Sequence, residues 1–106
     1  MVSIEEFKKL ELKVAEIVSV APHPQADRLY VLDIKIGDAR KQIVAGIRKY
    51  YSEEELKGKK IVIVDNLEPA VIRGIESQGM LLAASTDEDL TIVIPERPIP
   101  DGAKVR

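Results

Sequence analysis

The chain has 106 residues, no cysteine and a formal net charge of −2 at pH 7. This length suits a single domain over residues 1–106 with a core of its own, and the lack of cysteine excludes disulfides and thiolate metal sites. No apolar run approaches the roughly 18 residues of a membrane span, and no signal peptide opens the chain. We therefore expect a soluble, cytoplasmic protein with no membrane partner.

Short elements are predicted from the amino terminus onwards. Ser3 and Glu6 have the spacing of a capping box, which predicts a short helix that runs to about Leu10. From Leu12 the apolar residues alternate with polar ones or run together, as strands require. The predicted strands span 12–20, 29–36, 40–45, 60–64, 80–84 and 90–94, with a capped helical turn at 52–56 between the third and the fourth. This order predicts an all-β fold, a five-stranded Greek-key barrel of the OB-fold type.

The basic side chains are concentrated in the middle of the chain. Residues 28–73 carry ten basic and seven acidic side chains, whereas the segments on either side are each net acidic. These cations are either ordinary solvent-exposed side chains on strand edges and turns or contacts for an anionic partner, and charge alone leaves both interpretations open. They are Arg28, Lys35, Arg40, Lys41, Arg48, Lys49, Lys57, Lys59, Lys60 and Arg73.

The loop from Gly74 to Met80 resembles catalytic loops but lacks their chemistry. Its two glycines have phosphate-loop spacing, yet Met80 and Leu81 stand where that loop needs Lys and then Ser or Thr. A hydrolase elbow needs glycine two residues before Ser77, where this chain has Ile75. The only histidine, His23, belongs to no motif that pairs it with Ser77. We therefore expect no catalytic residue, no cofactor and no metal site.

Five motifs follow one another along nearly the whole chain. They are Leu12-Lys13-Val14, the segment from His23 to Tyr30, the segment from Ile43 to Ile47, Asn66-Leu67-x-Pro69, and Ser77-x-Gly79-Met80 with the apolar run to Ala84. Together they resemble the tRNA-binding domain found at the C-termini of methionyl-tRNA synthetases and in free-standing structure-specific tRNA-binding proteins.

The resemblance implies an OB-fold that binds tRNA by its overall L shape and is not an enzyme. It implies a C-terminal domain or beta subunit of a methionyl-tRNA synthetase, which raises the affinity of the catalytic domain for tRNA in cis or in trans. The alternative is an export-related chaperone of the same fold that binds unfolded polypeptide. An exposed apolar patch would favour the chaperone and a basic patch would favour tRNA.

Arg28, Ser77 and Met80 match the family's binding residues. The predicted tRNA-binding set also includes Lys41, Arg48, Lys49, Asn66, Arg73 and Gln78. Relatives are often basic after Asn-Leu, whereas here Arg73 is the only cation between residues 67 and 73.

Each matching residue also has a structural interpretation. Arg28 could pair with Asp27 or Asp33, the Ser77 hydroxyl could stabilise its loop, and Met80 could enter the core. With three Tyr, one Phe and no Trp, the chain lacks a platform for stacking single-stranded bases, which favours recognition of RNA shape and backbone.

The two ends of the chain predict a homodimer. Ile4, Phe7 and Leu10 recur at helical spacing and need an apolar surface to cover. Near the other end, Pro98 and Ile99 lie in an extended proline-rich tract. Family members of this length are expected to be dimeric, and these five residues form the predicted interface.

Overall fold

A computed structural model describes all residues from 1 to 106. It has two short helices, α1 (Ile4–Phe7) and α2 (Glu53–Leu56). The strands are β1 (Leu12–Pro22), β2 (Tyr30–Ile36), β3 (Ala39–Ala45), β4 (Lys60–Val64), β5 (Ala70–Ile72), β6 (Ile75–Ser77), β7 (Met80–Leu81), β8 (Ala83–Ser85), β9 (Leu90–Ile92) and β10 (Lys104–Val105).

β1 is the strand around which the sheet curls. Its first half pairs antiparallel with β4, and its second half pairs antiparallel with β2. The register slips between Ile17 and Ser19, which leaves Val18 as the extra residue of a bulge. Since a bulge bends and twists its strand, one strand can serve two partners around the barrel. The resulting order is β3-β2-β1-β4-β7, and β10 also pairs with β1.

The barrel closes between β3 and the segment that follows β6. The amide of Gln78 donates to the carbonyl of Gln42 at 2.8 Å, and the side-chain oxygen of Gln78 accepts from the Gln42 amide at 2.9 Å. These bonds use the edge of β3 that faces away from β2. The expected OB-type barrel of five principal strands is therefore confirmed.

The interior is filled by mainly aliphatic side chains from five strands, β1 to β4 and β9, from the helix α2 and from Ile47 in the loop after β3. In β2, Tyr30, Leu32, Ile34 and Ile36 are buried and alternate with more exposed residues, as the sequence pattern predicts. Leu56 of α2 joins the same cluster. The most deeply buried large side chains are Ile17, Leu32, Ile34, Ile43, Leu56, Ile61 and Ile63.

Several element boundaries differ from the predicted ones. β1 continues to Pro22, two residues beyond the predicted end, and the strand predicted at 90–94 ends at Ile92. The first helix ends at Phe7 and not near Leu10. The predicted strand at 80–84 is divided into β7 and β8, because the amide of Leu82 donates to Val62 while its carbonyl accepts from Val93. The short β5–β6 hairpin and β10 were not predicted. α1, the strands β5 to β8 and β10 are each four residues or shorter, and periodicity carries little information over so few residues.

Candidate nucleic-acid interface

Three loops meet at the end of the barrel where β1 ends, β2 begins and β3 ends. The amide of Arg48 donates to the carbonyl of Arg28 at 3.3 Å, which joins the β3–α2 loop to the β1–β2 turn. Arg73, at the tip of the β5–β6 hairpin, donates from Nη1 to the Gln25 carbonyl at 3.5 Å. The structure therefore brings three of the predicted arginines, Arg28, Arg48 and Arg73, onto adjoining loops.

The cations of these loops have no acidic partner within the chain. Arg28, Lys49 and Arg73 are exposed and Arg48 is half-buried, and the three ion pairs of the chain involve other residues. Lys49 lies with Nζ 5.8 Å from the centre of the Tyr50 ring. The alternative pairing of Arg28 with Asp27 or Asp33 is not formed. We call Arg28, Arg48, Lys49 and Arg73 the loop cations; they are free to meet phosphate oxygens.

Lys41 lies apart from the loop cations and is held by a carboxylate. It pairs with Ile34 in the sheet, and its Nζ donates to Asp65 Oδ1 at 2.7 Å and to the Asp65 carbonyl at 2.9 Å. Lys13 contacts the other oxygen of Asp65 at 2.8 Å. A phosphate would have to compete with Asp65 for the ammonium group of Lys41.

These contacts shift two pKa values. Burial pushes the pKa of Asp65 upwards, but the hydrogen bonds and charges of Lys13 and Lys41 outweigh it and hold the pKa below its ordinary value of 3.8. The hydrogen bond to Asp65 is likewise the main cause of a raised pKa for Lys13. Asp65 therefore remains ionised at neutral pH and pairs with both lysines.

The side chain of Asn66 is hydrogen-bonded to the segment between α1 and β1. Its Nδ2 donates to the Lys9 carbonyl at 2.6 Å, and its Oδ1 accepts from the Glu11 amide at 2.8 Å. The amide of Asp65 also donates to the Glu11 carbonyl at 2.7 Å. The expected role of Asn66 was contact with tRNA; the structure assigns its side chain to holding the α1–β1 segment.

Ser77 and Gln78 form the seam that closes the barrel. Ser77 is 5% exposed, and its Oγ accepts from the Val44 amide at 2.9 Å while donating to the Gly79 carbonyl at 3.0 Å. A Cβ on Gly79 would lie 3.0 Å from the Val64 carbonyl oxygen, so any larger residue would push the Val64 backbone away by a few tenths of an ångström. The Ser77 hydroxyl therefore makes the contacts expected if it stabilises its own loop.

Met80 lies beside the seam and is half exposed, with 50% of its surface accessible. It lines a shallow groove with Val44, Leu67 and Ile72. Val71, on the same hairpin, is 71% exposed. Met80 therefore lies outside the core, on an apolar strip next to the loop cations. The sequence analysis missed Leu67 as part of this strip, although Leu67 stands in the Asn-Leu motif. Val71 lies on the other face of β5 from Ala70 and Ile72, which line the groove.

The predicted dimer residues are exposed but lie near opposite ends of β4. Ile4, Phe7 and Leu10 belong to the segment that Asn66 fixes beyond Val64. Ile99 lies at the other end, where its carbonyl accepts from Lys60 Nζ at 2.6 Å. The carbonyl of the exposed Val93 accepts a hydrogen bond from the amide of Val62, in the middle of β4. An interface that used both ends would extend along this strand, whose end residues are roughly 13 Å apart.

No helix of the structure has both the length and the apolar character that crossing a membrane would require. No group of three or more His, Asp or Glu side chains is arranged to hold a metal ion.

Comparison with known proteins identifies relatives of this barrel. Residues 12–104 match the family described as "Putative tRNA binding domain". The chain is 50% identical over 105 residues to the methionine--tRNA ligase of Thermococcus kodakarensis, which covers 99% of this chain but only 14% of that ligase.

Solved structures agree with the fold. A MetRS-related protein from Pyrococcus horikoshii superposes with a TM-score of 0.93 at 33% identity, over 100% of this chain and 98% of that one. The chaperone CsaA from Bacillus anthracis superposes with a TM-score of 0.90 at 29% identity, over 100% and 99% of the two chains.

Proposed function

The chain belongs to the tRNA-binding domain family, and we propose that it binds folded tRNA as a single non-catalytic domain, through the loop cations Arg28, Arg48, Lys49 and Arg73. The observation that carries this proposal is that all four lie on adjoining loops at one end of the barrel without an acidic partner. Cations left unpaired in this way release counterions from nucleic acid when they meet phosphates.

Recognition is of RNA backbone and shape. The loops carry Tyr50 and Tyr51 as their only aromatic residues, and the hydroxyl of Tyr51 lies 3.1 Å from the Ile92 amide, from which it accepts a hydrogen bond. They therefore offer no row of rings on which splayed bases could stack. Met80 and the apolar strip beside the loop cations supply contact with ribose or base faces that releases no counterion. Ser77 and Gln78 contribute by joining β3 to the end of the β5–β6 hairpin, and Asn66 contributes by holding the segment between α1 and β1.

The partner proposed for this domain is a methionyl-tRNA synthetase catalytic domain, in cis or in trans. The support is the 50% identity to a stretch that makes up 14% of a methionine--tRNA ligase. A tethered tRNA-binding domain converts tRNA capture by the synthetase into an intramolecular event and so raises the effective tRNA concentration. We place this activity in the cytoplasm, where tRNA is charged.

Peptide binding is the second candidate, because one observation favours it. The strip that contains Leu67 and Met80 is apolar and exposed, and the barrel superposes on a protein described as a chaperone. Such a strip can hold an unfolded polypeptide without any cation. The loop cations next to it favour tRNA, since a peptide chaperone has no need of a basic cluster.

A salt titration separates the two candidates. If the four loop cations meet phosphates, the log–log dependence of tRNA affinity on salt has a slope of about −3 to −4. Arg28→Ala should lower the steepness by about one unit, while Met80→Ala should weaken binding at an unchanged slope, because methionine releases no counterion.

The measurement is a filter-binding or anisotropy titration with folded tRNA, unfolded tRNA and a permanently unfolded polypeptide as separate ligands. A slope near zero with tRNA, or tighter binding of the polypeptide, would contradict tRNA binding through the loop cations. Equal slope changes in the two variants would contradict the roles given to Arg28 and Met80.

A further inference from the structure

His23 is buried in the turn between β1 and β2, with 3% of its surface exposed. Both of its ring nitrogens form hydrogen bonds. The amide of Gln25 donates to Nδ1 at 3.0 Å, so Nδ1 presents its lone pair and Nε2 carries the proton. Nε2 therefore donates to the Ile72 carbonyl, also at 3.0 Å. The ring is held in one tautomer between its own turn and the β5–β6 hairpin.

The two bonds of the ring connect very different parts of the chain. The bond from Gln25 is local, two residues away, and resembles the turn that an Asn side chain makes with its own backbone. The bond to Ile72 spans 49 residues and ends next to Arg73. Only this second bond can decide where the tip of the hairpin lies.

The hairpin needs such an anchor. β5 and β6 form a separate two-stranded sheet with three residue pairs, and an isolated hairpin of this size is marginally stable. The β6 side is tied to β3, since Gln42 Nε2 donates to the Glu76 carbonyl at 2.9 Å. On the β5 side, the only hydrogen bonds to the rest of the molecule are the His23–Ile72 bond and the 3.5 Å contact of Arg73 with Gln25.

The turn at the tip makes the position of Arg73 depend on this anchor. Arg73 and Gly74 have φ values of 51° and 87°, both positive as in a type I′ hairpin turn. An arginine in this conformation carries backbone strain of about 1–3 kcal/mol. A hairpin released on its β5 side would let the strained turn relax and move Arg73 away from the other loop cations.

We infer that His23 is a positioning residue for tRNA binding: its bond to Ile72 fixes the β5–β6 hairpin so that Arg73 stands beside Arg28 and Arg48 on one rigid surface. The inference rests on the proposed tRNA-binding function. His23 itself touches no phosphate, because it is buried and both of its ring nitrogens are used.

Two substitutions separate the two bonds of the ring. In His23→Gln the side-chain amide reaches the position of Nε2 and keeps a donor for Ile72. In His23→Asn the side-chain oxygen keeps an acceptor for Gln25 but cannot reach Ile72. Arg73→Asn is the matched probe of the arginine, since asparagine before glycine favours the same type I′ turn while removing the charge.

We expect His23→Asn to weaken tRNA binding roughly two- to tenfold, the effect of one hydrogen bond, and to lower the steepness of the salt dependence by about one unit. His23→Gln should stay near the wild type. Arg73→Asn should weaken the wild type and His23→Gln but add nothing in the His23→Asn background. The inference would be overturned if a folded His23→Asn variant bound tRNA with the affinity and salt slope of the wild type. It would also be overturned if Arg73→Asn weakened binding as much in the His23→Asn background as it does in the wild type.

A measurement on the wild type alone covers the case in which His23→Asn does not fold. Nitrogen-15 NMR of the ring reports its tautomer without any tRNA. A protonated Nε2 in a slowly exchanging bond supports the anchor, and a protonated Nδ1 overturns it. If the ring has the expected tautomer but the wild type binds no tRNA, the proposed function fails and the anchor of the hairpin stands.

Discussion

Ser77→Ala should destabilise the barrel and leave the electrostatics of tRNA binding unchanged. The Ser77 hydroxyl is the partner of the Val44 amide and also donates to the Gly79 carbonyl. Alanine leaves the Val44 N–H, on the inner side of the seam, without a partner. A buried donor left unsatisfied costs about 1–3 kcal/mol, so we expect the free energy of unfolding to fall by about that amount.

The assay is urea unfolding followed by circular dichroism, with the salt dependence of tRNA affinity measured on the same samples. Ser85→Ala is the matched control, because Ser85 is exposed and its hydroxyl makes no hydrogen bond within the chain. It should change the unfolding free energy by less than about 0.5 kcal/mol. The slope of the salt dependence should be the same for both variants and the wild type, since neither removes a cation.

The opposite result would refute this reasoning. If Ser77→Ala unfolds at the same urea concentration as the wild type but binds tRNA much more weakly, the hydroxyl acts on tRNA directly. The seam would then be held by Gln78 and Gln42 without it.

Asp65→Asn should remove the two ion pairs with Lys13 and Lys41 and reduce the acid sensitivity of folding. Because the pKa of folded Asp65 lies below its ordinary value of 3.8, the ion pairs stabilise the wild type above that pH, and this stabilisation is lost as the pH falls through the lowered pKa. An Asp65→Asn variant whose stability depended on pH as the wild type's does would contradict this. For the predicted homodimer, light scattering at micromolar concentration should report about twice the 11.8 kDa of one chain. Phe7→Ser, at a side chain that is 45% exposed, should shift the mass towards one chain without unfolding, and a wild-type monomer that binds tRNA with full affinity would refute the dimer.

The barrel and the family could both be predicted from the sequence. Alternation along β2 and the continuous apolar run in β4 depend on residues one or two positions apart, so the strand type and its buried face can be read locally. The capping box at Ser3 and Glu6 is equally local, and the structure forms it. Arg28, Arg48 and Lys49 could be proposed from charge and motif because they need no partner within the chain.

The contacts that the remaining predicted site residues make within the chain could not be read from the sequence. Lys41 meets Asp65 across 24 positions, Ser77 meets Val44 across 33, and Asn66 meets Lys9 across 57. The first two contacts exist because the bulged β1 curls the sheet until its edges approach. The third continues the pairing of β1 with β4 beyond Leu12 and Val64. A motif shows that a polar residue is used, but a hydroxyl or amide can bind a phosphate or an edge of the sheet with the same atoms. The pairing and curvature of the strands, which no local pattern encodes, bring the second kind of partner within hydrogen-bond distance.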